Sequence, residues 1–371
     1  MAPKAYKLCT VCIQRQNPDG EFIRTRPSRC FICHGLTAKV AKMGRLVIRQ
    51  VRPYEFDSFS VGVIVPDEVQ EREDQLRSHL QIRGLETIKS QLSGKVAELV
   101  KKKTRKRVDR RRPQLTILAD FSNEVASASS KSLFVFGRYT KPRGVSQRKE
   151  FCEKCSGRGC PECKGGYVDA PSMEEILGRR FGRILGSSRT KFTWIGSEDR
   201  DSVVYPPGRP FIMEVKDPKL RKVPARSTLI TGSGRATVSN ARVLRDRPAT
   251  VPSFSFRTRA FLNSAEKLDG IDLSLARNLM KSVVTYRNNK GRLVEKKVYS
   301  VRVERKRGRL VADIWLDGGL PVKRLVSGES VSPSLSEVLG IPLVCERFDI
   351  LRVKQSGQVS LEAEGRPRRS R

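Results

Sequence analysis

The sequence predicts an α+β protein of several domains held partly by bound metal, and three observations carry that prediction. Strand-like and helix-like runs alternate through residues 59–137, then give way to a longer region of short β-like runs with few helices. Eight of the nine cysteines fall in four Cys-x-x-Cys knuckles. The chain is 371 residues long, room for two or three domains that each bury a core.

The elements follow in order. Residues 1–55 read as a small knuckle module that ends in a basic run, 39–52. Phe59-Ser-Val-Gly-Val-Ile-Val65 suits a buried strand. Residues 68–100 are helix-rich, with Leu85, Ile88, Leu92, Val96 and Leu99 spaced by threes and fours. Runs at 115–120 and 132–137 read as two more strands, so an α/β domain is expected over 56–150. A second cysteine segment fills 151–170 as a clamp or linker. Residues 171–360 hold β-like runs at 210–215, 297–303 and 311–316, with helical stretches near 273–283 and 333–339. The end, 361–371, is a basic tail.

Charge narrows the partners. There are 74 Lys and Arg against 39 Asp and Glu, a net +35. Such an excess repels itself, and a polyanion relieves it, so nucleic acid is the expected partner. No apolar run reaches the length of a transmembrane helix, and the opening Met-Ala-Pro-Lys-Ala-Tyr-Lys lacks the apolar core of a secretory signal. A soluble, cytoplasmic protein with no membrane partner and no obligate protein partner is therefore expected. The segment 101–112 carries nine cations and one anion. Within it Lys101, Lys102, Lys103 and Arg105 are candidate RNA contacts, of the kind that supply affinity without sequence choice.

The knuckles are Cys9/Cys12, Cys30/Cys33, Cys152/Cys155 and Cys160/Cys163, with Cys345 left over. In a reducing cytosol, paired knuckles indicate structural zinc, one or two ions, since two knuckles complete a closed four-thiolate site. Which knuckles share a metal stays open. Other chemistry finds little support. Only two histidines exist, His34 and His79, and no phosphate loop or dinucleotide fingerprint is present, so no organic cofactor is expected. The acidic turn Gly196-Ser-Glu-Asp-Arg-Asp201, between apolar runs, is the remaining catalytic candidate.

Several segments, in order, resemble the archaeal-type tRNA pseudouridine-54/55 synthases, a family with a zinc-bearing, THUMP-containing accessory region. They are Glu71-Arg-Glu-Asp with Ile88-Lys-Ser-Gln, Ser132-Leu-Phe-Val-Phe-Gly-Arg-Tyr139, the turn running on to Val-Val-Tyr-Pro-Pro-Gly-Arg-Pro-Phe211, and the stretch 327–340 with Phe348-Asp-Ile-Leu351. The resemblance implies a THUMP-like domain followed by a pseudouridine-synthase catalytic domain with a mixed, mainly antiparallel sheet. It also implies isomerisation of T-loop uridines of tRNA, at position 55 and possibly 54. It points to Asp199 as the catalytic carboxylate, Tyr299 as the active-site tyrosine and Lys323 as the basic partner of the carboxylate. Arg200, Arg209 and Arg324 become candidate substrate contacts. Ser197 stands where the family has arginine, which keeps a rival reading: a catalytically degenerate, zinc-containing RNA-binding protein on the same scaffold.

Overall fold

The computed structural model describes residues 6–356 apart from 17–20, 84, 164, 169, 251, 267–269, 289–290 and 307–308; the expected basic tail lies outside the described residues. The chain forms two compact units, Met1–Ser132 with Lys216–Arg221, and Leu133–Val215 with Lys222–Arg371.

The first unit is built on a four-stranded sheet ordered Arg107–Val108, Ser58–Ile64, Leu115–Asp120, Val125–Ser130. Ser58–Ile64 runs parallel to both neighbours, and Val125–Ser130 closes the edge antiparallel. Helices Val40–Val51 and Ile88–Thr104 pack against it. Ile88–Thr104 begins at Thr87, whose hydroxyl accepts from the Ser90 amide, and it buries Ile88, Leu92, Val96 and Val100. Two expected members of that stripe differ. Leu85 precedes the helix and is exposed, and Leu99 lies over Gly44, where a Cβ would come within 2.6 Å of its Cδ1. The strand Val125–Ser130 was not anticipated, because Ala and Ser give it no hydrophobic signal.

The knuckle module is not a separate body. Leu8, Cys9, Ile32 and Met43 share one core with Phe59, Val96 and Ile117. A buried carboxylate ties the module in. Glu73 pairs with Arg15 at 2.9 Å, accepts from Gln16 at 2.6 Å, and takes the backbone N–H of Ile88 at 2.9 Å. One acid thus neutralises a buried guanidinium and satisfies an orphan donor at a helix start. The boundary expected near residue 55 disappears for that reason.

The second unit carries a mixed, mainly antiparallel sheet of eleven strands among the described residues. Its order is Ser227–Thr231, Gly234–Leu244, Leu133–Lys141, Val204–Val215, Val344–Ser356, Ser253–Asn263, Arg309–Asp317, Leu293–Lys306, Val283–Arg287 and Val331–Ser332. Thr190–Trp194 pairs along Val204–Val215 as a hairpin. Val204–Val215 and Val344–Ser356 meet in parallel, at Ile350 and Val204. The strand Leu133–Lys141 corrects the expected boundary at 150. It pairs with Val204–Val215 and Gly234–Leu244, and its Leu133, Val135 and Tyr139 belong to the core of this unit. Helix Met173–Leu185, opened by a Ser172/Glu175 capping box, covers that part of the sheet. The helical stretch expected at 273–283 is a 3-10 segment, Leu273–Leu279, followed by the strand Val283–Arg287. No helix among the described residues is long and apolar enough to cross a membrane.

Candidate active site

The acidic turn joins strands Thr190–Trp194 and Val204–Val215. Gly196 opens it at φ +77°, and a Cβ there would meet Arg209 Nη2 at 2.4 Å, so only glycine fits. Arg209 is buried, and four of its five N–H donors are engaged. It donates to Ile195 O at 3.1 and 2.8 Å, to Ser197 O at 3.1 Å, and to Glu198 Oε2 at 2.9 Å. Its planar fork therefore grips three consecutive parts of the turn. Arg209, expected as a substrate contact, lines the same pocket as Asp199, but four of its five N–H donors are spent on the turn, so its placement is that of a brace.

Glu198 is buried and also accepts from Tyr139 Oη at 2.8 Å, while Gln147 donates to that hydroxyl at 3.0 Å. Burial first, and then the Glu198 charge, push the Tyr139 phenol well above its usual range, so it stays a donor. Two residues along the same strand face, Lys141 is buried and donates to Val145 O, Asp199 O, Arg200 O and Ser202 O at 2.6, 3.0, 3.2 and 2.6 Å. Burial draws its pKa below the usual lysine value, and the neighbouring carboxylates Glu198 and Asp199 oppose that fall. Tyr139, Lys141, Glu198 and Arg209 together fix the backbone that presents the next carboxylate.

That carboxylate is Asp199. It is half-buried, and its Oδ2 lies 2.8 Å from Lys323 Nζ in an ion pair. Lys323 stands at the start of helix Val322–Ser327, and the bond to Asp199 raises its pKa. Both groups line a pocket of about 450 Å³ whose apolar wall includes Phe256, Leu316, Leu320, Phe348 and Ile350. Phe256 also covers Arg209, 5.0 Å from ring centroid to guanidinium carbon. Tyr286 donates to Gly319 O at 2.7 Å and so braces the segment leading to Lys323. Nearby Cys345 is buried, which pushes its thiol up to about 12 and keeps it a neutral, inert group.

Other expected residues lie elsewhere. Tyr299 sits at a bulge between Val298 and Ser300, donates to Asp317 Oδ1 at 2.8 Å and packs on Trp315. Trp315 and Leu316 are neighbours on one strand and face opposite sides of the sheet, and it is Leu316 that lines the Asp199 pocket. The expectation of Tyr299 beside Asp199 is therefore corrected, and the aromatic rings lining that pocket are Phe256, Phe348 and Trp194. Arg324 is half-buried and does not line the pocket. Arg200 is exposed and donates to Gly144 O at 3.3 Å, beside a neighbouring cavity shared with Asp201. In the first unit, Lys101, Lys102 and Arg105 line a shallow surface cavity at the end of helix Ile88–Thr104, and Lys103 is exposed there too. Tyr139 and Lys141 escaped the sequence reading, although their alternation on one strand face was a usable signal.

The cysteines form two tetrads, Cys9/Cys12/Cys30/Cys33 and Cys152/Cys155/Cys160/Cys163, with all sulfurs of each within 4.8 Å. This closes the question of sharing: the two pairs of knuckles do not exchange partners. Sulfur separations such as 3.7 Å for Cys9–Cys33 and 3.6 Å for Cys155–Cys163 exceed a disulfide bond. They match the edge of about 3.8 Å that Zn–S bonds near 2.3 Å give a tetrahedron. The donor sets fit zinc.

Family matches agree with this layout. A model described as Pus10 THUMP domain, archaeal, matches residues 44–120, and one described as Pus10, C-terminal, matches 134–243. A protein of Nitrosopumilus maritimus (strain SCM1) named tRNA pseudouridine synthase Pus10 is 30% identical over 362 residues, covering 93% of this chain and 94% of its own. Namesakes from Cenarchaeum symbiosum (strain A) and Methanocaldococcus jannaschii are 29% and 27% identical. They cover 98% and 90% of this chain, and 92% and 77% of their own. The matches define an enzyme of the RNA pseudouridine synthase class, an isomerase. The boundary between the two matched segments falls where the strand Leu133–Lys141 begins the second unit. The chain belongs to the Pus10 family.

Proposed function

We propose that this protein isomerises uridine to pseudouridine in the T loop of tRNA, at position 55 with 54 as the second candidate, using the carboxylate of Asp199. The observation that carries the reading is the Asp199–Lys323 ion pair at 2.8 Å in the mouth of a pocket walled by apolar side chains. The reaction breaks the bond between N1 of the base and C1′ of the sugar, turns the base, and joins C5 to C1′. N1 gains a proton and C5 gives one up, so nothing is oxidised, reduced or added. One ionised carboxylate supplies this chemistry, as nucleophile or as base, and the Lys323 ammonium favours its charged form. Phe256 and Leu316 offer the flipped ring an apolar wall. Extruding a uridine costs a few kcal/mol, which contacts elsewhere on the RNA offset.

The accessory unit supplies such contacts through Lys101, Lys102, Lys103 and Arg105, a cation cluster at a helix C-terminus where the dipole also favours positive charge. Zinc held by the two tetrads is structural: at the first it would brace the core that those cysteines share, and at the second it would close the loop 152–163. The decayed-scaffold reading rests on Ser197 alone. That residue is exposed and its carbonyl is held by Arg209, so the frame around Asp199 is complete without an arginine there. Incubation with an unmodified tRNA transcript and chemical mapping of pseudouridine tests the proposal. Product in the T loop is expected; tRNA binding without product would establish the degenerate alternative.

A further inference from the structure

The opposite face of the second unit's sheet carries a groove of about 770 Å³. It is lined by six cations, Arg257, Arg277, Arg302, Lys306, Arg352 and Lys354, and by two acids, Glu304 and Asp313. Both acids are already engaged. Arg259 holds Asp313 through two bonds of 2.7 and 2.9 Å, and Arg302 and Lys306 reach Glu304 at 2.5 and 2.9 Å. Among the described residues, Arg257, Arg277, Arg352 and Lys354 make no close ion pair, although Arg257 and Arg277 feel the longer-range attraction of Asp313 and Asp272.

Two of these stand in an arrangement that folding alone disfavours. Arg257 and Arg352 face one another directly across the antiparallel pairing of Ser253–Asn263 with Val344–Ser356. Like charges at directly opposed positions destabilise a sheet. Both are exposed, and among the described residues neither side chain makes a hydrogen bond or a close ion pair, Arg257 adding only a longer-range attraction to Asp313. Beside them Trp315 is opposite Arg257 on the other neighbouring strand, with Lys354 4.9 Å above its ring and Tyr299 packed at 5.5 Å. A concave surface with guanidinium groups free of close ion pairs and a half-buried aromatic ring has the composition of a nucleic-acid contact.

We propose that this groove is a second RNA-binding surface, which holds phosphates of the substrate RNA away from the reacting nucleotide, with Arg257 and Arg352 as the phosphate clamps and Trp315, backed by Tyr299, as the ring face. It rests on the substrate being RNA, and not on Asp199 being the catalytic group. The groove and the Asp199 pocket use alternate residues of the same strands: Arg257 and Trp315 serve one, Phe256 and Leu316 the other. RNA that reaches both must pass around the edge of the sheet, which favours a folded substrate over a short single strand.

The test is equilibrium binding of a tRNA transcript to the full chain between 50 and 300 mM salt. Arg257→Ala with Arg352→Ala should raise Kd about tenfold and reduce the log–log salt slope by roughly 1.4–1.8, the value for two lost phosphate contacts. The melting temperature should stay level or rise, because the opposed charges are gone. Arg257→Lys with Arg352→Lys keeps both charges and should keep the slope. A folded alanine pair with the parent's Kd and slope would overturn the proposal, as would a lysine pair that binds as weakly as the alanine pair. Failure of the pseudouridine reading shows separately, as binding without product.

Discussion

Lys141→Met removes a buried ammonium while keeping the length and most of the volume of the side chain, and its consequences can be worked out bond by bond. Of the four carbonyls that Lys141 serves, Asp199 O keeps the Ser202 amide at 3.1 Å and Arg200 O keeps the Gly144 amide at 3.0 Å. Val145 O and Ser202 O, the two contacts of 2.6 Å, have no other donor among the described residues. Leaving two buried carbonyls unsatisfied costs about 2–6 kcal/mol, and no longer desolvating an ammonium offsets part of it, for a net loss of about 3 kcal/mol. At about 2–4 °C per kcal/mol, the second unit should melt roughly 6–12 °C lower. The turn would also lose the anchor that sets Asp199, and a misplacement of about 1 Å costs on the order of a hundredfold in rate. The assay is single-turnover pseudouridine formation beside tRNA binding and calorimetry. The expected pattern is kcat down at least tenfold, Kd for tRNA within twofold, and the lower melting temperature. A Lys141→Met protein with the parent's rate and stability would refute the view that this ammonium holds the catalytic turn.

The remaining predictions are simpler. Metal analysis should give two zinc ions per chain, and Cys12→Ser should release one of them and unfold the first unit, whose core the tetrad shares; one ion in the parent would contradict the second tetrad. Replacing Lys101, Lys102 and Lys103 by Gln should weaken tRNA binding and flatten its salt dependence while leaving the rate at saturating tRNA intact; unchanged binding would make that helix end a merely solvated one. The Lys323 pKa is raised by Asp199, so the charge pair is fully present below the unfolded lysine value of about 10.4 and is lost only as pH rises past the higher folded value. Single-turnover rates should therefore show no alkaline fall from this lysine below about pH 10.4; an earlier fall that Lys323→Arg abolishes would contradict it.

What could be read from the sequence followed local regularity. The knuckles announced their tetrads because Cys-x-x-Cys is a local device, and the parallel strands Ser58–Ile64 and Leu115–Asp120 announced themselves by apolar runs. The acidic turn 196–201 stood out by itself, the choice of Asp199 within it and of Lys323 more than a hundred residues later came from resemblance, and the fold brings them to 2.8 Å. Tyr299 was misplaced because a bulge breaks the alternation that would have shown its face. That Arg209 braces the turn was hidden, because nothing local reveals that Glu198 is buried beside it. The domain edge at 132 was hidden for a similar reason: whether the strand Leu133–Lys141 joins the sheet before it or the one after it depends on partners up to about a hundred residues away.

The most direct test of the central claim replaces one atom. Asp199→Asn keeps the shape of the side chain and removes its charge. The account predicts that this protein binds a tRNA transcript with the parent's affinity, melts at a similar temperature, and forms no pseudouridine at any uridine. Pseudouridine at the parent's rate from the folded Asn variant would contradict it and move the chemistry to another group.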